Sequence, residues 1–256
     1  MSLFNKALAS IGIGSVKIDS RLSKPSFRIG ERVDGKVLIK GGSVEQEIDA
    51  IYLCLMTDYL RNSNNKAYKD QTVIKRVKVS EPFTVLENEI IEIPFSFVLP
   101  LLTPITASGT SIWVKTEAGI KNAKDPTDRD LITIKPSLLL TDMMQAVLSL
   151  GFTLDYSRCH EAPERYKKTQ QYIQCFYFKP LEGKWKDIEN IEIVFFAESE
   201  DTYDLFIEVN NKVNDSVKKE LYLHSESIFY IKIRQERVHE IPNKILQLMK
   251  QSHQLD

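Results

Sequence analysis

The chain has 256 residues, 34 basic and 35 acidic, for a formal net charge of −1, so no charge excess points to a nucleic-acid or other polyanion partner. Its length suits two domains of roughly 110–130 residues, each large enough to bury a core without metal ions or disulfides. Three cysteines, Cys54, Cys159 and Cys175, form an odd set without metal-ligand spacing, which fits a reducing cytosol.

The first fourteen residues contain one lysine and a glycine-broken apolar run. A secretory leader needs a longer apolar core and a stronger basic start, so a packing segment pinned by Leu3, Phe4 and Leu8 is expected. No run approaches the ~18–20 apolar residues of a membrane span, and a cytoplasmic location is expected. Strand signals follow at Val16–Ile18, Phe27–Val33 and Lys36–Lys40, with Gly30 and Gly35 as turn or bulge positions. After Gly41-Gly42 comes a long strand that is apolar on both faces: Ile51, Leu53 and Leu55 on one, Tyr52, Cys54 and Met56 on the other. Such a strand lies inside something, so cover from the N-terminal segment or a second domain is expected over Tyr52, Cys54 and Met56.

Residues 61–70 are polar and read as a loop. Val73–Val79 is the next strand; its interleaved Lys75, Arg76 and Lys78 suit a solvated edge better than a binding patch. In Glu89–Leu99 the apolar residues alternate, and Pro94 argues for an edge position. Ser111–Glu117 and Leu131–Lys135 are further strands, separated by a polar turn at Asp125–Asp130. The period then changes. Leu138, Leu139, Met143, Ala146, Val147 and Leu150 recur at helical spacing, with Ser137 or Thr141 as cap and Gly151 at the end. Strands resume at Phe152–Leu154, Tyr172–Phe178, Ile188–Ala197, Tyr203–Asn210, Leu221–Leu223 and Ile228–Ile233. A short amphipathic helix, Ile241–Gln251, closes the chain. The elements give an all-β protein: two antiparallel β-sandwich domains in tandem, with a short interdomain helix and a C-terminal helix. The boundaries expected are 1–135, a linker at 136–151, 152–235, and a helical tail at 236–256.

Catalytic signatures are absent. No phosphate loop, dinucleotide fingerprint, nucleophile elbow or paired-histidine zinc motif occurs. Cys159-His160-Glu161 places a thiol beside an imidazole, but adjacent residues point apart, and a loop bordering Pro163 is the simpler reading. Asp125, Asp128 and Asp130 lack the spacing of a calcium loop, and Arg129 sits among them. Trp185 near Tyr177 and Phe178 reads as core, and the C-terminal helix as packing on its own domain. No catalytic, cofactor-binding or metal-binding residue is assigned, and no cofactor is expected.

The stretch Phe27-Arg-Ile-Gly-Glu-Arg-Val-Asp-Gly-Lys-Val37 resembles the turn and strand that open arrestin-like domains, with Ile29 where that pattern has proline. Gly12-Ile-Gly14, Gly41-Gly42-Ser-Val-Glu-Gln-Glu-Ile48, Phe97-x-Leu99-Pro100, Thr103-Pro-Ile-Thr106, Leu150-Gly-Phe152, Glu161-Ala-Pro163 and the run Ile191–Val209 are similar in order and spacing to the bacterial sporulation-control M family of Bacillus and relatives. That resemblance spans the chain to about Val213. It implies two arrestin-like domains in a non-catalytic cytosolic regulator or adaptor. Such a protein acts by protein–protein contact on sporulation or cell-cycle progression, with sporulation or cell-division proteins as partners. Asn210-Asn-Lys-Val213 replaces a basic segment of the family, and the tail beyond Lys219 diverges. The rival reading is a small-molecule or metal sensor using the interdomain region or the Asp125–Asp130 loop.

Overall fold

The computed structural model describes residues 15–63, 66–120, 127–163, 170–212 and 228–252. Strands dominate, as expected from the alternating segments. The chain divides into two compact units. The first comprises Met1–Asp58, Gln71–Thr103 and Ser111–Lys135; the second comprises Tyr59–Asp70, Pro104–Thr110 and Pro136–Asp256.

In the first unit, β1 (Lys17–Leu22), β3 (Arg32–Lys40) and β7 (Ile90–Val98) form an antiparallel sheet in the order β1-β3-β7. Pro94 lies in β7, at the edge of this sheet, where a missing N–H removes no ladder bond. The facing sheet contains β2 (Ser26–Arg28), β4 (Gln46–Ser63), β6 (Phe83–Val85), β8 (Ile112–Ile120) and β9 (Thr127–Lys135). Val33, Val37 and Ile39 from one sheet and Ile51, Leu53, Leu55 and Val114 from the other are all at most 1 % exposed and make the core. Gly30 has φ +79°, the left-handed turn residue expected there. Gly35 differs from the expectation of a turn or bulge. It lies within β3 on the core-facing alternation, directly opposite Phe95, whose ring fills the space a side chain would need.

The polar loop expected at residues 61–70 is largely strand. β4 continues to Ser63, and β5 (Lys66–Lys78) is paired with β4. Lys66, Ala67, Tyr68 and Lys69 are exposed, so backbone pairing holds this segment rather than burial. A strand without an apolar face leaves no period-two signal.

In the second unit, α1 (Leu138–Ser149) buries Leu139, Leu140, Met143 and Val147. Ser137 caps it: its Oγ accepts from the Leu140 N–H at 3.1 Å and meets the Tyr203 hydroxyl at 3.0 Å. Gly151, φ +87°, ends it. Strands β10 (Phe152–Glu161), β11 (Tyr172–Pro180), β12 (Ile188–Ala197), β13 (Thr202–Asn211) and β14 (Ile228–Arg234) form one antiparallel sheet in sequential order. The end of β4, at Leu60, adds to β10 at His160 in parallel. Phe176, Phe178, Ile191, Ile193, Leu205 and Ile207 are buried on one face. A short 3-10 helix (Gln235–Glu240) leads into α2 (Ile241–Ser252), which packs on α1 and β13 through Ile241, Ile245 and Met249. The strand expected at Leu221–Leu223 lies outside the described residues.

Candidate interaction surface

In the first unit, the second face of β4 is built by three cross-strand rows. Tyr52 pairs with Glu117, Cys54 with Lys115 and Met56 with Trp113; Lys115 in turn opposes Arg129. Cys54, Met56 and Trp113 are buried together. Two guanidinium groups lie on the aromatic rings. Arg76 of β5 stands 3.8 Å from the Tyr52 ring centroid, and Arg129 of β9 stands 4.0 Å from that of Trp113. Long cationic side chains thus cover apolar surface with their stems and plates while their charges reach water. The described cover over this face is therefore a set of arginines from neighbouring strands. The N-terminal cover anticipated from the sequence falls in residues 1–14, outside the described residues.

Over Cys54 runs a charged ladder. Lys115 donates to Glu117 at 2.8 Å, and Arg76 Nη2 lies 3.5 Å from the same carboxylate. The Lys115 hydrogen bond, more than the Cys54 thiol or the Arg76 charge, holds the Glu117 carboxyl below its ordinary range. Burial, with Glu117 adding to it, pushes the Cys54 thiol up to about 11. This thiol is protonated at neutral pH and is no nucleophile. Beside the ladder opens a concavity of about 600 Å³ lined by Asp49, Tyr52, Arg76, Lys78, Lys115 and Glu117 among others. Lys78 donates to Glu81 at 2.6 Å, and Lys75 to the Val98 carbonyl at 3.2 Å. The basic cluster of β5 is thus spent on partners within its own unit. What remains is a shallow polar basin with an aromatic floor, suited to hydrogen bonds and exchange of ion pairs with a docking chain.

The buried thiols give a direct chemical expectation. Cys175 in the second unit is likewise pushed up, to about 12, mainly by burial and then by Glu192 and Glu208. At pH 8 the thiolate fraction of Cys54 is about one in a thousand, against roughly a quarter for an unfolded cysteine. Iodoacetamide should therefore label Cys54 and Cys175 on the order of a hundredfold more slowly in the native protein than in urea, as read by peptide mass mapping. Labelling of Cys54 at the unfolded rate would show that the arginine cover is not closed.

The other candidates from the sequence resolve individually. Cys159, His160 and Glu161 lie in β10 rather than in a loop. Cys159 is buried at 1 % exposure, whereas His160 Nε2 meets the Tyr177 hydroxyl at 3.0 Å on the other face, so thiol and imidazole are not brought together. Burial, then Arg158, lowers the His160 pKa. Asp128 and Asp130 lie in β9, not in a turn, because their strand is paired with β8 from Thr127 onward. Asp128 accepts from the Ser20 N–H at 3.1 Å and Asp130 from the Ser20 hydroxyl at 2.8 Å. Asp125 lies outside the described residues. Among the described residues no group of three or more His, Cys, Asp or Glu side chains could hold a metal ion. Trp185 stacks on Phe152, with centroids 6.1 Å apart, and donates to the Leu150 carbonyl at 2.7 Å, so it locks the end of α1. None of the described helices is long and apolar enough to cross a membrane. Sequence reasoning missed the stacked arginines. Their only trace was an arginine in each strand flanking an aromatic one, a pattern too common to single out.

A family profile described as SpoOM protein matches residues 4–213. The chain is 30% identical over 243 residues to the sporulation-control protein spo0M of Bacillus subtilis, covering 94% of this chain and 93% of that one. The crystal structure of Spo0M, sporulation control protein, from Bacillus subtilis superimposes with a TM-score of 0.82 at 27% identity, over 93% of this chain and 99% of that one.

Proposed function

This chain belongs to the SpoOM protein family, and from that membership we propose that it is a cytoplasmic regulator of sporulation that works by contact with other proteins rather than by turnover of a substrate. The observation that carries this reading is the 30% identity to a sporulation-control protein over nearly the whole of both chains. Identity spread that widely argues for the same task rather than a shared fragment. The contact mechanism draws on the first unit's basin, where a protonated thiol and paired charges offer docking chemistry and no activated nucleophile. In this reading residues 1–135 and 152–235 are two arrestin-like sandwich domains, 136–151 links them and 236–256 is a tail. Partners come from the sporulation or cell-division machinery.

Expression of this chain in a Bacillus subtilis strain lacking its spo0M protein should return the sporulation frequency to the parental level. Cross-linking in the same cells should capture a protein whose recovery falls when Arg76 and Lys115 are both changed to Glu. A folded, expressed chain that leaves sporulation at the deletion level would refute the regulatory role. Restored sporulation with capture unaffected by the charge reversals would remove the basin from it.

A further inference from the structure

The second unit carries a different surface. Tyr156, Tyr177, Glu192 and Glu208 are successive cross-strand partners on β10, β11, β12 and β13, so one row crosses four strands on one side of the sheet. The next row is Arg158, Cys175, Val194, Phe206 and Tyr230. Residues of alternate parity, among them Phe176, Ile191, Ile193 and Ile207, are buried on the opposite face. This side is half-exposed at Glu192 and Glu208, and Tyr230 is 55% exposed.

Two like charges directly opposite each other destabilise a sheet. The cations described nearby are committed elsewhere: Lys179 to Asp155 at 2.8 Å, Lys232 to Glu198 at 2.7 Å, and Arg158 over the Tyr156 ring at 5.5 Å. Among the described residues no lysine or arginine pairs with Glu192 or Glu208. Glu192 instead leans on neutral donors. Asn210 Nδ2 lies 3.4 Å from it, and Tyr177, whose hydroxyl meets His160, is its cross-strand neighbour and favours its charged form. Burial and then the Glu208 charge push the Glu192 carboxyl up to about 6. Beside this acid pair the Tyr156 and Tyr177 rings are stacked 4.2 Å apart.

We propose that this face docks an extended segment of a protein partner whose arginine enters between Glu192 and Glu208 and lies against Tyr177. Charge complementarity selects the occupant: two facing carboxylates that no described cation neutralises are satisfied by one guanidinium, which presents donors to both. The aromatic row favours a planar cation over an ammonium. Val194, Phe206 and Tyr230 accept an apolar residue two positions from the arginine, the spacing of one side of an extended chain. This inference rests on the reading of the chain as a protein-binding regulator.

The test is an NMR titration of the labelled full chain with a capped Leu-Arg-Val-Arg-Leu peptide, and with the same peptide carrying neutral citrulline for both arginines. The arginine peptide should shift amides of β10–β13, bind roughly tenfold or more tightly than the citrulline peptide, and lower the Glu192 titration midpoint. Binding should weaken as pH falls through the Glu192 midpoint, because protonation removes half of the acid pair. Glu208→Gln, and separately Glu192→Gln, should abolish the arginine preference while leaving the amide spectrum folded; if one variant unfolds, the other decides. Equal binding of both peptides, or an arginine preference retained in these variants, would overturn the proposal. So would a Glu192 midpoint that rises without peptide in a Lys218→Gln/Lys219→Gln variant, since the cation would then belong to this chain. Failure here with sporulation restored in the genetic test sinks this surface alone.

Discussion

Gly35→Ala is expected to destabilise the first unit by about 3 kcal/mol, the upper end of the cost of overpacking a core. A Cβ at this position would stand 2.4 Å from Cζ of Phe95 and 2.5 Å from the backbone carbonyl oxygen of Arg21. The ring can turn, but the carbonyl belongs to the β1–β3 ladder and cannot retreat without breaking pairs. Adding Phe95→Leu to Gly35→Ala should therefore recover only part of the loss. Urea denaturation with separate probes for the two units reads both effects. A single variant within 0.5 kcal/mol of the parent, roughly the range of surface substitutions, would contradict the close approach.

Trp113→Ala should cost about 3–5 kcal/mol, the range for emptying the site of a fully buried large aromatic. Trp113 is 2% exposed, opposes Met56 across the strand pair and supports the Arg129 guanidinium. Trp113→Phe keeps a ring beneath the cation and should cost much less. Arg129→Met keeps an apolar stem, removes only the charge and should cost about 0.5–1 kcal/mol. In the Trp113→Ala background that second loss should vanish, because no ring remains to bind. Denaturation midpoints of the four proteins close the cycle. If the arginine substitution costs as much without the tryptophan as with it, the stacked cation contributes nothing.

These two positions also mark how far the sequence could be read. The doubly apolar run Ile51–Met56 announces a strand buried on both sides, and Leu53 and Leu55 face the core as expected. The switch to helical spacing at Leu138, with Ser137 as cap, is equally plain, because capping and periodicity are local. Gly35 is legible as special but not for its reason, since the ring that excludes a side chain comes from β7, sixty residues on. The β4–β5 pairing escapes because a polar strand without an apolar face carries no periodic signal. The two surfaces were invisible for a related cause. Tyr52 with Glu117, and Glu192 with Glu208, meet through strand register, which depends on turns and bulges such as the shift between Ile188 and Asn190.

The arginines laid over Tyr52 and Trp113 bear on how the apolar face of β4 is kept from water as ionic conditions change. Exposed ion pairs such as Lys36–Glu92 rest on Coulomb attraction through solvent and fade when the Debye length shrinks to about 3 Å in molar salt. A guanidinium plate on a ring works at contact distance through the ring quadrupole and shared dehydration, so dissolved ions do not reach between them. Among the described residues, the second apolar face is thus covered by groups that remain soluble on their outer side and indifferent to salt on their inner side. Opening that face takes a side-chain rotation and leaves every strand in place.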